Sequence, residues 1–160
     1  MTTIKGTMVR STNFLLIEDD DAHARIIMRS ILECKSIKSQ VTLIENGEKA
    51  LNIIQNYTVH NSFTHPDYIL LDLNLPKVNG MDILKMIKDH PFLYRTPVVI
   101  LTSSDSRQEK LDAYRMHVNS YLIKPTEPGR FKQMVKDLLS YWSCWNKNVS
   151  SDLTYIEESS

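Results

Sequence analysis

Net charge, cysteine, long apolar runs and repeated sequence are all scarce in this chain of 160 residues. Nineteen basic and nineteen acidic side chains cancel, so the whole-chain electrostatic footprint of a nucleic-acid or anionic-membrane binder is missing. No apolar run approaches the roughly 20 residues that span a bilayer. The segment Met1 to Ser11 lacks the apolar core of a signal peptide, and a cytoplasmic protein with no membrane association is expected. The two cysteines, Cys34 and Cys144, fall in segments that read as helix, without C-x-x-C spacing. That pattern argues against a disulfide framework or a structural zinc site. The length suits one domain with a sizeable core and leaves no room for a second.

What is present is an alternation of short apolar runs with helix-spaced segments. Phe14 to Ile17 reads as a strand that ends in the acidic cluster Glu18-Asp19-Asp20-Asp21, and Ala24, Ile27, Ile31 and Cys34 then recur at helical spacing. Val41 to Ile44 is a second strand, Asn46-Gly47 a turn, and Ala50, Leu51, Ile54 and Tyr57 mark the next helix. A polar loop over 58–67 leads to Tyr68–Leu71, an apolar run without alternation and so a strand buried on both faces. Met81, Leu84, Ile87 and Lys88 continue a helix from Gly80 that His90-Pro91 stops. Val98 to Leu101 is the fourth strand, and Ser106 with Glu109 has capping-box spacing for the following helix. Ser120 to Ile123 is the fifth strand. Thr126 is expected to cap a last helix that has Pro128 near its first position. Five strands alternating with five helices predict an α/β domain, a parallel sheet covered on both faces. The expected boundaries are an N-terminal segment over 1–11, the domain over 12–146, and a flexible tail over 147–160.

In such a sheet the carboxyl ends of the strands share one edge, where binding crevices form. Glu18 and Asp19 follow the first strand, Asp72 the third, Thr102 the fourth and Lys124 the fifth. Taken singly, each reads equally well as a helix cap, a turn residue or a solvated strand end. Together they point to one site. Three carboxylates drawn close repel by a few kcal/mol per pair even at an effective dielectric of about 20. A divalent cation offsets that, and an all-oxygen set suits Mg²⁺. Asp19 and Asp72 would be direct ligands, with Glu18 acting directly or through water. With a hydroxyl on Thr102 and a fixed cation on Lys124, the set meets the needs of phosphoryl transfer, and Asp72 is the natural nucleophile.

Ile17-Glu18-Asp19-Asp20, Leu71-Asp72-Leu73-Asn74-Leu75-Pro76 with Gly80, Leu101-Thr102-Ser103 and Lys124-Pro125 stand in that order. The set resembles a two-component response-regulator receiver domain over about residues 12 to 142. The resemblance implies a flavodoxin-like (βα)5 three-layer sandwich with strand order 2-1-3-4-5. It implies that Asp72 is the phosphoacceptor, served by a sensor histidine kinase, with Mg²⁺ held by Glu18, Asp19, Asp72 and the main-chain carbonyl of Asn74. Thr102 and Lys124 would bind the phosphoryl oxygens, and Tyr121 matches the switch aromatic that turns inward when Thr102 moves. On this resemblance the domain is a signalling phosphoacceptor and not an enzyme with turnover on other molecules. Within the family the chain is most similar to phytochrome-associated regulators, through the long loop before the third strand, the stretch Asp89 to Pro97, His117-Val118-Asn119 and Tyr141-Trp142. Thr126 replaces the aromatic that many receivers carry after Lys-Pro.

Fewer than twenty residues follow the last helix, too few for a helix-turn-helix. Output is therefore expected through a downstream protein target or phosphotransfer protein, without direct DNA binding. Phe131, Val135, Leu138, Trp142 and Trp145 recur at spacings of four and three, widened by Met134 and Tyr141. The first half of that stripe reads as core. Its aromatic end, Tyr141, Trp142 and Trp145, reads as contacts of a homodimer built also on the fourth and fifth helices and the fifth strand. The histidines His23, His60, His65, His90 and His117 show no ligand spacing and are expected on the surface or in loops. A haloacid-dehalogenase-type phosphatase uses a similar set, but it wants a second aspartate two residues after the nucleophile, where Asn74 stands and cannot shuttle a proton. No phosphate-cradling loop follows the first strand, as a flavin carrier would need. A receiver-like interaction module that ignores phosphate is the remaining alternative.

Overall fold

The computed structural model describes residues 11–60 and 63–146. The expected N-terminal segment, save Ser11, and the expected tail lie outside the described residues. The elements are β1 (Thr12–Ile17), α1 (Asp21–Glu33), β2 (Ser39–Ile44), α2 (Gly47–Gln55), β3 (Tyr68–Leu71), α3 (Gly80–Asp89), β4 (Val98–Thr102), α4 (Arg107–Arg115), β5 (Ser120–Ile123) and α5 (Pro128–Ser140), with a π-helical turn over Tyr141–Trp145. All neighbouring strands pair in parallel, in the order β2-β1-β3-β4-β5.

Side chains of a strand alternate between faces, and here both faces are dry. Leu15, Ile17, Ile69, Leu71, Val98 and Ile100 pack with Ala50 and Ile54 of α2, Ile83, Leu84 and Ile87 of α3, and Ala113 of α4. Their sequence neighbours Phe14, Leu16, Tyr68, Leu70, Val99 and Leu101 face α1 and α5, against Ala24, Ile27, Ile31, Phe131, Val135 and Leu139. The central strands are apolar throughout because each has a helix layer on either side. Strand β2, at an edge, is half-exposed with alternating burial.

Local chemistry sets the helix ends. Asp20 caps α1 by accepting from the His23 main-chain N–H at 2.8 Å. Asn46, expected in a turn, caps α2 by accepting from Glu48 and Lys49 N–H groups. Ser106 caps α4 as expected, but the box is not reciprocal: the Glu109 carboxylate accepts from the Ser104 hydroxyl instead. Thr126 is not the cap of α5. That position belongs to Glu127, whose side chain accepts from Gly129 N–H at 3.1 Å, with Pro128 next in line. Tyr57, expected on α2, lies two residues past its end, yet it is buried with its hydroxyl 2.8 Å from His65 Nδ1.

The loop from β3 to α3 carries Asp72, and its shape is tightly specified. Lys77 adopts a left-handed φ of 65°. Asn74 and Asn79 form an isolated antiparallel bridge, and Gly80 N–H donates to the Leu73 carbonyl at 3.2 Å. A Cβ on Gly80 would lie 2.5 Å from Leu73 Cα and 2.9 Å from the Asp72 carbonyl oxygen. The obstacle is backbone, which cannot swing aside as a side chain can. Gly80→Ala should therefore lose about 2 kcal/mol or more of stability in urea denaturation. An unchanged midpoint would mean that the Asp72 loop moves freely.

Candidate functional site

The hydrogen-bond ladder carries the site residues to one level. Beyond the paired strands, Glu18 N–H donates to the Ile44 carbonyl (3.1 Å), Asp72 N–H to the Ile17 carbonyl (3.0 Å) and Lys124 N–H to the Thr102 carbonyl (2.7 Å). Each strand thus stays in register for one residue past its end. The side chains of Glu18, Asp72 and Lys124 meet because their backbones are still held as strand.

Lys124 joins the carboxylates. Its ammonium donates to Glu18 Oε2 at 2.6 Å and to Asp72 Oδ2 at 2.9 Å. All three residues are buried, Glu18 to 1% exposure and Asp72 to 5%. The remaining carboxylate oxygens are also occupied: Glu18 Oε1 accepts from Asp20 N–H (3.0 Å) and Asp72 Oδ1 from Asn74 N–H (3.0 Å). Burial pushes the Glu18 carboxyl up to about 7, the Lys124 hydrogen bond opposing it and the Asp72 charge adding to it. Asp19 is exposed, and one oxygen from each of Glu18, Asp19 and Asp72 lies within 4.8 Å of the others. Hard oxygen donors at that spacing fit a small divalent cation, which would relieve repulsion that a single lysine only partly offsets.

Thr102 is fully buried at the end of β4. Its hydroxyl oxygen accepts from Asn74 Nδ2 at 3.0 Å and from Ser104 N–H at 3.2 Å. The other hydrogen of that amide group reaches Ser103 Oγ at 3.0 Å. Tyr121 stands beside this group, half-buried on β5, and its hydroxyl donates to the Ser104 carbonyl at 3.0 Å. Desolvation raises its phenol above the ordinary value. Ser104 therefore touches Thr102 through its amide and Tyr121 through its carbonyl.

Glu18, Asp19, Asp72, Asn74, Thr102 and Lys124 come together as expected, with Tyr121 adjoining. Tyr141, Trp142 and Trp145 do not join them. Trp142 packs edge-on against Tyr68, with ring centroids 4.8 Å apart, at the end of β3 opposite Asp72. It is partly buried and packs against the internal cluster around α1 and α5. Tyr141 is 57% and Trp145 78% exposed.

Ser103 closes the run Leu101-Thr102-Ser103 and receives the Asn74 amide. One site residue escapes the sequence. His23 stands not on an indifferent surface but against the site, its Nδ1 3.2 Å from Lys124 Nζ. Its only sequence signal is its place in the first turn of α1, just after the acidic cluster.

The sequence matches the response regulator receiver domain over residues 15–136. It is 39% identical over 134 residues to the probable methanogenesis regulatory protein FilR2 of Methanothrix harundinacea (strain 6Ac), covering 84% of this chain and 85% of that protein. It is 35% identical over 128 residues to response regulator Rcp1 of Synechocystis sp. (strain ATCC 27184 / PCC 6803 / Kazusa), covering 80% and 86%. Among solved structures, the phosphorylated cyanobacterial phytochrome response regulator RcpA superposes with a TM-score of 0.80 at 30% identity, over 87% of this chain and 99% of that one. The Mn²⁺-bound form of Rcp1 gives 0.78 at 34%, over 86% and 98%. The family match runs from β1 into α5 and so takes in every strand end that converges on Asp72. This chain belongs to the response-regulator receiver-domain family.

Proposed function

We propose that Asp72 accepts a phosphoryl group from a phosphohistidine on a sensor histidine kinase, in a Mg²⁺-dependent step. The contact of Lys124 with both Asp72 and Glu18 carries this reading, since it puts a fixed cation at the edge of a buried carboxylate nucleophile. An Asp72 carboxylate oxygen forms the new P–O bond in line as the donor's P–N bond breaks, and the electron pair leaves with the imidazole nitrogen. Lys124 turns an N–H toward a phosphoryl oxygen, and the Thr102 hydroxyl takes another. Glu18, Asp19, Asp72 and the main-chain carbonyl of Asn74 would hold Mg²⁺, which when bound supplies neutralising charge at the phosphoryl oxygens. The Asn74 amide is not a titratable acid or base, which favours a stored phosphoryl group over continuous hydrolysis.

Thr102 and Tyr121 supply the response, linked through Ser104. If Thr102 follows the phosphoryl group, the β4–α4 loop that holds the Tyr121 hydroxyl moves with it. The kinase partner proposed is of phytochrome type, on the likeness to RcpA and Rcp1. The domain spans 12–146 and works in the cytoplasm. Among the described residues no helix is long and apolar enough to cross a membrane. The chain forms a homodimer across α4, β5, α5 and the aromatic extension Tyr141, Trp142 and Trp145, a reading supported at β5 and α5 by the groove of about 520 Å³ that Leu122, Met134 and Leu138 help to line. Arg130 and Asp137 stand on the same wall, seven residues apart on α5, and a two-fold axis between them would pair each with the other's charge. Downstream, a protein target or a phosphotransfer protein reads the phosphorylated face.

Incubation with Mg²⁺ and acetyl phosphate, read by intact mass, should add one alkali-labile phosphoryl group to the wild type and none to Asp72→Asn. An equal adduct on the variant would sink the mechanism. Because the Glu18 carboxyl titrates near 7, cation binding must displace a proton below that pH. Affinity for Mg²⁺ should be flat above about pH 7 and weaken by up to about tenfold per unit below it, with proton uptake or release measured by calorimetry in two buffers. A pH-independent affinity between 5.5 and 7 would contradict this. Sedimentation at high micromolar concentration should find dimers that Arg130→Asp weakens and Arg130→Asp with Asp137→Arg restores.

A further inference from the structure

The proposed chemistry uses two of the three N–H groups of the Lys124 ammonium. The third meets His23 Nδ1 at 3.2 Å. An ammonium has no lone pair and can only donate, so Nδ1 accepts and the imidazole proton sits on Nε2. The ring is fixed from other directions too. It stands edge-on to Phe131 of α5, with centroids 5.3 Å apart and planes at 81°, and the residue's main-chain N–H is tied to the Asp20 carboxylate at 2.8 Å. Asp20 Oδ1 lies 3.7 Å from Nδ1, beyond hydrogen-bond range, and so does not displace Lys124 there.

We propose that His23 is a positioning residue for Lys124, a neutral third acceptor that fixes how the ammonium faces Asp72. The inference rests on the phosphoacceptor role of Asp72. Two off-axis carboxylate partners already fix the rotation of the ammonium. Once the N–H on Asp72 turns to a phosphoryl oxygen, the contact with His23 joins that with Glu18 in keeping the orientation. The neutrality of the acceptor matters as much as its place. A third carboxylate would compete for the lysine against a phosphoryl oxygen. An imidazole nitrogen holds one N–H while the N–H on Asp72 turns to the incoming group. Because the ring rests on Phe131, Lys124 is set by the packing of α1 on α5 as well as by the sheet.

The test measures phosphorylation of the full chain by acetyl phosphate with Mg²⁺, by intact mass over time. His23→Asn places an amide oxygen where Nδ1 stands, His23→Gln places it where Nε2 stands, and His23→Leu keeps bulk without an acceptor. His23→Asn should phosphorylate near the wild-type rate, while His23→Gln and His23→Leu should be slower by about tenfold or more, the scale of one lost hydrogen bond to a charged, buried donor. Equal rates for all four proteins, or an Asn variant as slow as the Leu variant, would overturn the role. Ring ¹⁵N shifts of His23 in the unphosphorylated protein give a separate reading. The Nε2–H tautomer should dominate in the wild type and give way to a mixture in Lys124→Met. A tautomer unchanged by that substitution overturns the contact even if Asp72 is phosphorylated. A wild type without an adduct, but with the tautomer shift present, overturns the Asp72 chemistry and the rate effect while leaving the contact itself standing.

Discussion

An ammonium buried between two carboxylates is costly to desolvate, and it persists only where its partners are themselves held in place. Lys124 meets that condition because Glu18, Asp72 and its own backbone continue the sheet one residue past β1, β3 and β5. The side-chain contacts then tie together strands that do not all touch: β1 and β3 are neighbours, while β5 lies beyond β4. Without the lysine the site would hold two buried carboxylates facing an exposed third. The elevated titration of Glu18, driven by burial, already reflects that tension. Charge at this edge is thus set by the sheet's register, and a cation or a phosphoryl group would enter a field that is nearly but not fully balanced.

The second layer of the site consists of hydroxyls and amides rather than charges. Asn74 sends its amide hydrogens to Thr102 and Ser103, and Ser104 receives Tyr121. These are neutral contacts of ordinary length, individually worth about 1 kcal/mol. Rearranging two or three of them would be within reach of the covalent step proposed at Asp72. The charged layer is held by buried ion pairs, and the neutral layer by contacts that exchange at smaller cost.

The strand ends are legible in the sequence because chemistry and position coincide there: an apolar run buried on both faces cannot end on Asp72 or Lys124 without bringing that charge to the sheet's edge. Helix positions are legible from apolar spacing for the same reason. Caps are less so. Thr126 and Glu127 are adjacent residues that both offer an oxygen, and the choice between them rests on backbone angles that spacing does not encode. Glu109 likewise has the right spacing for a reciprocal box, but Ser104 competes for its carboxylate. His23 escapes the sequence because its role depends on α1 lying against α5, a tertiary fact with no local signature. The aromatic stripe keeps its helical phase as far as Trp142, which packs against Tyr68, and a uniform helical period does not hold through residue 145.

That period breaks at the π-helical turn over Tyr141–Trp145. A wide turn accommodates one extra residue, and one residue of an α-helix corresponds to about 100° of rotation. It acts as a phase shifter. Upstream, Phe131, Val135 and Leu139 keep their registration with the core, and Trp142 is retained beneath Tyr68. Trp145 is re-aimed without disturbing them. Inheritance can therefore alter the direction and chemistry of the surface near Trp145 by changes in this turn alone, so that part of the receiver can diversify while the carboxyl edge of its sheet stays as it is.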